Sequence, residues 1–141
     1  QALEQGADEL DMVINLGAVK DRDFDLIEKE IKALLKLKEH YQFILKVIVE
    51  TALLDKGELI TLTNLVGAAG ADFIKTSTGF STRGVSLEDI NIIKSVKSDK
   101  LKIKASGGIR TLEFARKLIE AGADRLGSSN AAKIVEEYRS K

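Results

Sequence analysis

Lys75 and Lys104 stand in matching surroundings. Lys75 follows Phe73-Ile74 and leads into Thr76-Ser77-Thr78-Gly79, while Lys104 follows Lys102-Ile103 and leads into Ala105-Ser106-Gly107-Gly108. An amine placed before a small, glycine-bearing loop can attack a carbonyl while the loop holds an anion close by. The amine must first lose its proton. At an ordinary pKa near 10.4 a lysine is neutral only about 0.04% of the time at pH 7. Burial and a neighbouring cation both disfavour the charged form, and a pKa brought down to about 7 raises the neutral fraction about a thousandfold. Other nucleophiles are scarce. The chain has no cysteine and one histidine, His40, which excludes a thiol nucleophile and a thiolate zinc site. His40 lies in Lys38-Glu39-His40-Tyr41, apparently a surface position at a helix end, so no Ser-His-Asp triad is expected. Neither G-x-S-x-G nor S-x-x-K occurs, and lysine is left as the leading nucleophile.

These residues need elements to position them, and the chain supplies a repeating series. Gly6-Ala7-Asp8, Gly70-Ala71-Asp72 and Gly122-Ala123-Asp124 each follow an apolar-periodic segment and precede a short β-type run. The glycine reads as a helix C-cap that turns the chain into a strand. The spacings correspond to about two βα units each, at roughly 25–32 residues per unit. The expected strands are 9–15, 43–50, 73–77, 102–106 and 125–127. Phe24, Ile27, Ile31, Leu34 and Leu35 share one helical face. Further helices are expected over 57–69, 87–96, 112–121 and 130–139, with Ser86 and Thr111 as N-caps. The first residues, from Gln1, read as the tail of a helix. Strands alternating with helices imply an α/β fold with a parallel sheet, and residues 1–141 read as a single domain. Five βα units form either an open five-stranded sheet or part of an eight-stranded (β/α) barrel, which takes about 200 residues or more.

Residues two apart in a strand share a face. That rule groups Glu9, Asp11, Val13 and Asn15; Ile44, Lys46, Ile48 and Glu50; Phe73, Lys75 and Ser77; and Lys102, Lys104 and Ser106. A parallel sheet covered on both faces reads as nearly continuous Val, Ile and Leu, yet here four successive strands each place a charge on one face. Isolated buried charges are costly. Either the lysines lie on a solvated edge or snorkel, or they line a barrel interior. Four strands in succession favour the interior. Lys75 and Lys104 then sit at the C-terminal ends of neighbouring strands, where barrel active sites lie. Thr78-Gly79, Gly107-Gly108 and Gly127-Ser128-Ser129 follow such ends. Each alone could be an ordinary turn. Two of them on the last two strands favour a phosphate site made of backbone amides and helix N-termini.

Ala71-Asp72-Phe73-Ile74-Lys75-Thr76-Ser77-Thr78-Gly79-Phe80 resembles the Schiff-base signature of the deoxyribose-phosphate aldolase family. Lys104-Ala105-Ser106-Gly107-Gly108-Ile109-Arg110 is similar to that family's second-lysine motif, and the runs from Glu9 to Asn15 and Lys46 to Thr51 resemble two further strands. The resemblance implies a (β/α)8 TIM-barrel fold and reversible cleavage of 2-deoxy-D-ribose 5-phosphate to acetaldehyde and D-glyceraldehyde 3-phosphate. It implies Lys75 as the Schiff-base residue, Lys104 as the cation lowering its pKa and joining the proton relay, and Asp11 as a proton-moving group. Gly107, Gly108, Gly127 and Ser129 would hold the phosphate, with Gly79 nearby and Lys46 in the interior charge network. It implies no metal and no organic cofactor. It covers about the last five of the family's eight strands, so the first three are expected to be absent and the 141 residues alone are expected to have little aldolase activity.

Lys+Arg and Asp+Glu both total 22, so no basic excess points to a nucleic acid or an acidic membrane. No apolar run reaches the roughly 18 residues of a spanning helix, and no signal peptide is evident. A reducing, cytoplasmic setting is expected, with a small phosphorylated sugar as substrate and a homo-oligomeric assembly. Two alternatives stay open: a non-covalent phosphate-binding isomerase or synthase using Lys104 as a general acid, and a non-catalytic barrel fragment.

Overall fold

A computed structural model describes Gly6 and residues 8–140. The suggested helix tail at the N-terminus and Ala7 of the first Gly-Ala-Asp signature lie outside the described residues. Five parallel strands form one sheet in sequence order: β1 (Glu9–Val13), β2 (Ile44–Ile48), β3 (Phe73–Lys75), β4 (Lys102–Ser106) and β5 (Arg125–Gly127). Helices α1 (Leu16–Lys20) and α2 (Phe24–Leu35) connect β1 to β2. They are followed in turn by α3 (Lys56–Ala69), α4 (Leu87–Val96), α5 (Leu112–Ala121) and α6 (Ala131–Arg139).

The Gly-Ala-Asp repeat has two separable jobs. Gly70 and Gly122 end α3 and α5 at φ 101° and 129°, a region that costs a residue with a Cβ about 1–2 kcal/mol. The aspartate then reaches sideways to the preceding strand. Asp72 Oδ2 accepts the Leu45 N–H at 2.9 Å, and Asp124 Oδ2 accepts the Ile103 N–H at 2.9 Å. These two signatures thus each stop a helix and fix the start of a strand pair. Ser86 and Thr111 are N-caps as expected, accepting from Asp89 N and Phe114 N.

The core lies between the sheet and the helices. Leu45, Val47, Ile74, Ile103 and Ala105 face outward from the strands and are buried against Ile27 and Ile31 of α2, Leu62 and Val66 of α3, Ile90 and Ile93 of α4, and Leu118 of α5. Burying each large aliphatic side chain is worth about 1.5–3 kcal/mol. The opposite face of the sheet carries the alternating charged residues. The sheet curls around that face so strongly that its two edges meet through side chains: Arg125 of β5 donates to Glu9 of β1 at 2.9 Å. The arrangement is part of a (β/α) barrel.

Three strands are shorter than expected. β1 stops at Val13 because Asn15 caps the unanticipated helix α1, accepting the Ala18 N–H at 3.0 Å. β2 stops at Ile48 because Glu50 takes a left-handed conformation, φ 57°. Glu50 therefore leaves the face it was expected to share with Lys46. β3 ends at Lys75, and past that point the Thr76 hydroxyl bonds the Ser106 backbone, donating to its carbonyl at 3.2 Å and accepting its N–H at 3.0 Å. Among the described residues no helix is long and apolar enough to cross a membrane.

Candidate active site

Register places the two key lysines side by side, since Lys75 of β3 is paired with Lys104 of β4. The pair opens into a cavity of about 410 Å³ at the C-terminal end of the sheet. Gly79, Gly107, Gly108, Gly127 and Ser129 border the same cavity, so every residue expected on the anion side is brought together with both lysines. Asp11 reaches the site from β1, across β2. Its Oδ2 accepts from Lys75 Nζ at 2.7 Å, and its Oδ1 lies 3.1 Å from Lys46 Nζ. Lys46, buried, also donates to Glu9 at 2.8 Å. One chain of ion pairs, Arg125–Glu9–Lys46–Asp11–Lys75, thus joins β5, β1, β2 and β3.

Among the described residues Lys104 has no carboxylate in contact, and this asymmetry sets the local electrostatics. Burial, then the charges of Lys46 and Lys75, hold the Lys104 amine below its ordinary value. Lys46 moves the other way: burial pulls it down, but Glu9 and Asp11 outweigh burial and leave it raised. Burial pushes the Asp11 carboxyl up, while hydrogen bonds from Lys75 and Lys46 more than offset that and leave it below the usual carboxylate range. The site therefore holds an ionised carboxylate beside one amine and a second amine whose charged form is disfavoured.

The anion end is built from backbone. Gly107 and Gly108 have φ of 84° and 73°, consecutive left-handed residues that only glycine tolerates at little cost. No backbone acceptor among the described residues takes the amides of Gly79, Gly107, Gly108 or Ser129, and such amides attract an anion. Ser128 Oγ donates to Ile109 O and accepts the Asn130 N–H, tying the last two loops together. Arg110 also borders the cavity. Among the described residues no group of three His, Cys, Asp or Glu side chains converges as for a metal. His40 is exposed, as expected.

Two contributors were not singled out from the sequence. Gly84 packs so tightly on the Gly107 turn that an added Cβ would lie 2.0 Å from Gly107 O. Ser106 and Ser77 cross-link the lysine strands: Ser106 Oγ donates to Ser77 O at 2.7 Å and accepts its N–H at 3.2 Å. Nothing in the sequence around Gly84 signals its contact with the Gly107 turn. The serine pairing depends on β3 and β4 being neighbours, which composition alone does not reveal.

A parallel βα scaffold with paired lysines facing an amide-lined cavity defines a barrel-type fold with a candidate amine- and anion-binding site. The family model for DeoC/LacD family aldolase matches residues 1–132, and the chain belongs to that family. A deoxyribose-phosphate aldolase from Streptococcus pyogenes is 52% identical over 141 residues, covering 99% of this chain and 62% of that protein. One from Thermococcus gammatolerans is 48% identical over 139 residues, with the same two coverages. The solved structure of a deoxyribose phosphate aldolase from Aeropyrum pernix, described as a unique tetramer, superposes with a TM-score of 0.87 at 37% identity. That match covers 98% of this chain and 58% of the other. The chain thus spans about 62% of the length of the curated relatives it matches.

Proposed function

We propose that this chain carries the catalytic lysines and the phosphate site of a class I aldolase. The enzyme reversibly cleaves 2-deoxy-D-ribose 5-phosphate to acetaldehyde and D-glyceraldehyde 3-phosphate. The observation that carries the reading is the pairing of Lys75 with Lys104 at a cavity whose other end is the Gly107-Gly108 and Gly127-Ser129 amide cradle.

Burial and the neighbouring cations Lys46 and Lys75 disfavour the charged form of Lys104. In its neutral form Lys104 takes the proton from Lys75, whose amine then adds to C1 of the open-chain sugar. Loss of water from the carbinolamine leaves a protonated imine. Removing the C3 hydroxyl proton lets the C2–C3 bond break, with its electron pair drawn into the imine to give an enamine. D-glyceraldehyde 3-phosphate leaves as the aldehyde. Asp11, held ionised beside Lys75, passes protons between the hydroxyl, the enamine carbon and water. Hydrolysis of the remaining imine releases acetaldehyde and restores Lys75.

The depressed amine at Lys104 favours one competing assignment, with Lys104 as the nucleophile and Lys75 as the ion-paired helper. The position of the covalent adduct separates the two. A non-covalent isomerase or synthase is a further rival, which forms no adduct. The direct test of the reaction is turnover of 2-deoxyribose 5-phosphate by the chain completed to the length of its relatives, with both aldehydes measured in equal amounts. Acetaldehyde without triose phosphate, or no cleavage at all, contradicts the reading. We further infer a cytoplasmic homo-oligomer. A cysteine-free composition fits a reducing compartment, and the Aeropyrum pernix relative is described as tetrameric.

A further inference from the structure

Glu50 lies just past β2, in none of the roles above, and it is held at a cost. Its backbone is left-handed at φ 57°, which a non-glycine residue adopts at about 1–2 kcal/mol. The residue is only 4% exposed, and its carboxylate has no cation partner among the described ion pairs. A buried, unpaired carboxylate on strained backbone calls for a specific return.

All the described hydrogen bonds of that carboxylate go to one residue. Glu50 Oε2 accepts the Thr78 hydroxyl at 2.6 Å, and both carboxylate oxygens lie 3.3 Å from Thr78 N. Thr78 Oγ1 in turn accepts the Phe80 N–H at 3.2 Å. The two bonded residues flank Gly79, itself at φ 96°, and all three border the cavity holding Lys75 and the phosphate cradle. No packing holds Gly79 on its Cβ side, for nothing lies within 4 Å of where its Cβ would be. The turn is therefore shaped by what grips its ends, and Glu50 is the grip on one side.

We propose that Glu50 is a positioning residue that holds the Thr78-Gly79-Phe80 turn as a wall of the phosphate site, acting through Thr78 and not by touching the substrate. The inference rests on the aldolase reading for the identity of the anion. A carboxylate beside a phosphate would repel it if left bare, so the Thr78 hydrogen bonds both set the turn and engage the charge. Glutamine keeps a carbonyl acceptor for Thr78, whereas glycine removes the grip and at the same time relieves the left-handed backbone.

The experiment uses the barrel-length protein with Glu50→Gln, Glu50→Gly and Thr78→Val. Two quantities are read: the affinity for inorganic phosphate, and the rate of borohydride trapping with acetaldehyde, a carbonyl that carries no phosphate. Glu50→Gly and Thr78→Val should each lose about tenfold in phosphate affinity, equivalent to about 1.4 kcal/mol, beyond any loss in trapping. Glu50→Gln should retain most of the affinity. Thermal melting of each variant identifies general unfolding. Unchanged phosphate affinity in Glu50→Gly overturns the proposal, as does a parallel fall of phosphate affinity and trapping, which marks a merely structural residue. Tighter phosphate binding in Glu50→Gln also overturns it, since the carboxylate would then act by repulsion alone. If the unsubstituted protein traps no acetaldehyde, the aldolase reading fails separately, and phosphate affinity across the variants still decides the role of Glu50.

Discussion

Gly84→Ala should damage the phosphate site although Gly84 is far along the chain from the glycines that form it. The added Cβ would lie 2.0 Å from Gly107 O, 2.1 Å from Gly107 C and 2.7 Å from Gly108 N. All three are backbone atoms, so no side chain can swing away. Ordinary contact begins near 3.4 Å, and the two loops must part by about 1.4 Å to reach it. Val85 N donates to Ser106 O at 3.2 Å and to Gly107 O at 3.0 Å, and a separation of that size breaks both. Each lost bond costs about 0.5–1.5 kcal/mol, and forced overpacking typically adds 1–3 kcal/mol. A destabilisation of about 3 kcal/mol is expected, or roughly 6–12 °C in melting temperature for a protein of 150–250 residues. Because a 1 Å misplacement at a well-oriented site costs up to about a hundredfold in rate, kcat/KM for the phosphorylated sugar should fall by one to two orders of magnitude. Differential scanning calorimetry and steady-state kinetics on the barrel-length protein read the two effects. Gly79→Ala is the comparison: its φ of 96° brings backbone strain, but its Cβ meets nothing, so its melting temperature should fall less. Equal melting temperatures for Gly84→Ala and the unsubstituted protein would refute the reasoning, because a clash with fixed backbone cannot be silent.

Lys104→Leu removes the amine that accepts the Lys75 proton, so imine formation near neutral pH should collapse and recover in part as pH rises; an unchanged pH–rate profile contradicts this. Asp11→Asn should leave imine trapping largely intact while slowing the proton-transfer steps by about 10²–10⁴-fold; equal losses of trapping and turnover would contradict that division. Asp89 is pushed up by burial, but the Arg83 hydrogen bond and the Ser86 N–H more than offset this and hold its carboxyl below the usual carboxylate range. A depressed carboxyl contributes stability above its unfolded pKa and loses it as pH falls through the folded value. Asp89→Asn should therefore flatten the decline in stability below about pH 4, and an unaltered acid limb would count against the pairing. The 141 residues on their own present unpaired strand edges at β1 and β5 and exposed apolar side chains such as Val13, Ile119 and Tyr138. They should associate in dilute solution and turn over little substrate; light scattering showing a fully active monomer is the contrary result.

How much of this was legible in the sequence varied with the kind of signal. The bounds of β4, β5, α4 and α5 could be read to the residue, because caps such as Ser86, Thr111 and Gly122 act locally and leave a local trace. The interior charges were legible too, since a period of two places Asp11, Lys46, Lys75 and Lys104 on one face however the strands are ordered. Strand ends were not. The stop after Ile48 is imposed by Glu50, a residue type with no turn preference, held left-handed by a partner 28 positions away in Thr78. Helix α1 was missed because its five residues are too few to display a helical period. The direction of the Lys104 shift follows from Asp11 choosing Lys75 and Lys46 as partners, a matter of side-chain reach across β2 that spacing does not fix. Gly84 was invisible for a similar reason, since its constraint comes from the Gly107 backbone and not from its own turn.

The central claim is that the amine of Lys75 becomes covalently bound to substrate. Borohydride reduction of the barrel-length protein in the presence of 2-deoxyribose 5-phosphate, followed by proteolysis and mass spectrometry, tests it most directly. The expected result is a single stable adduct on the peptide containing Lys75, absent when either borohydride or sugar is withheld. An adduct on Lys104 or Lys46, or turnover with no adduct at all, would contradict it.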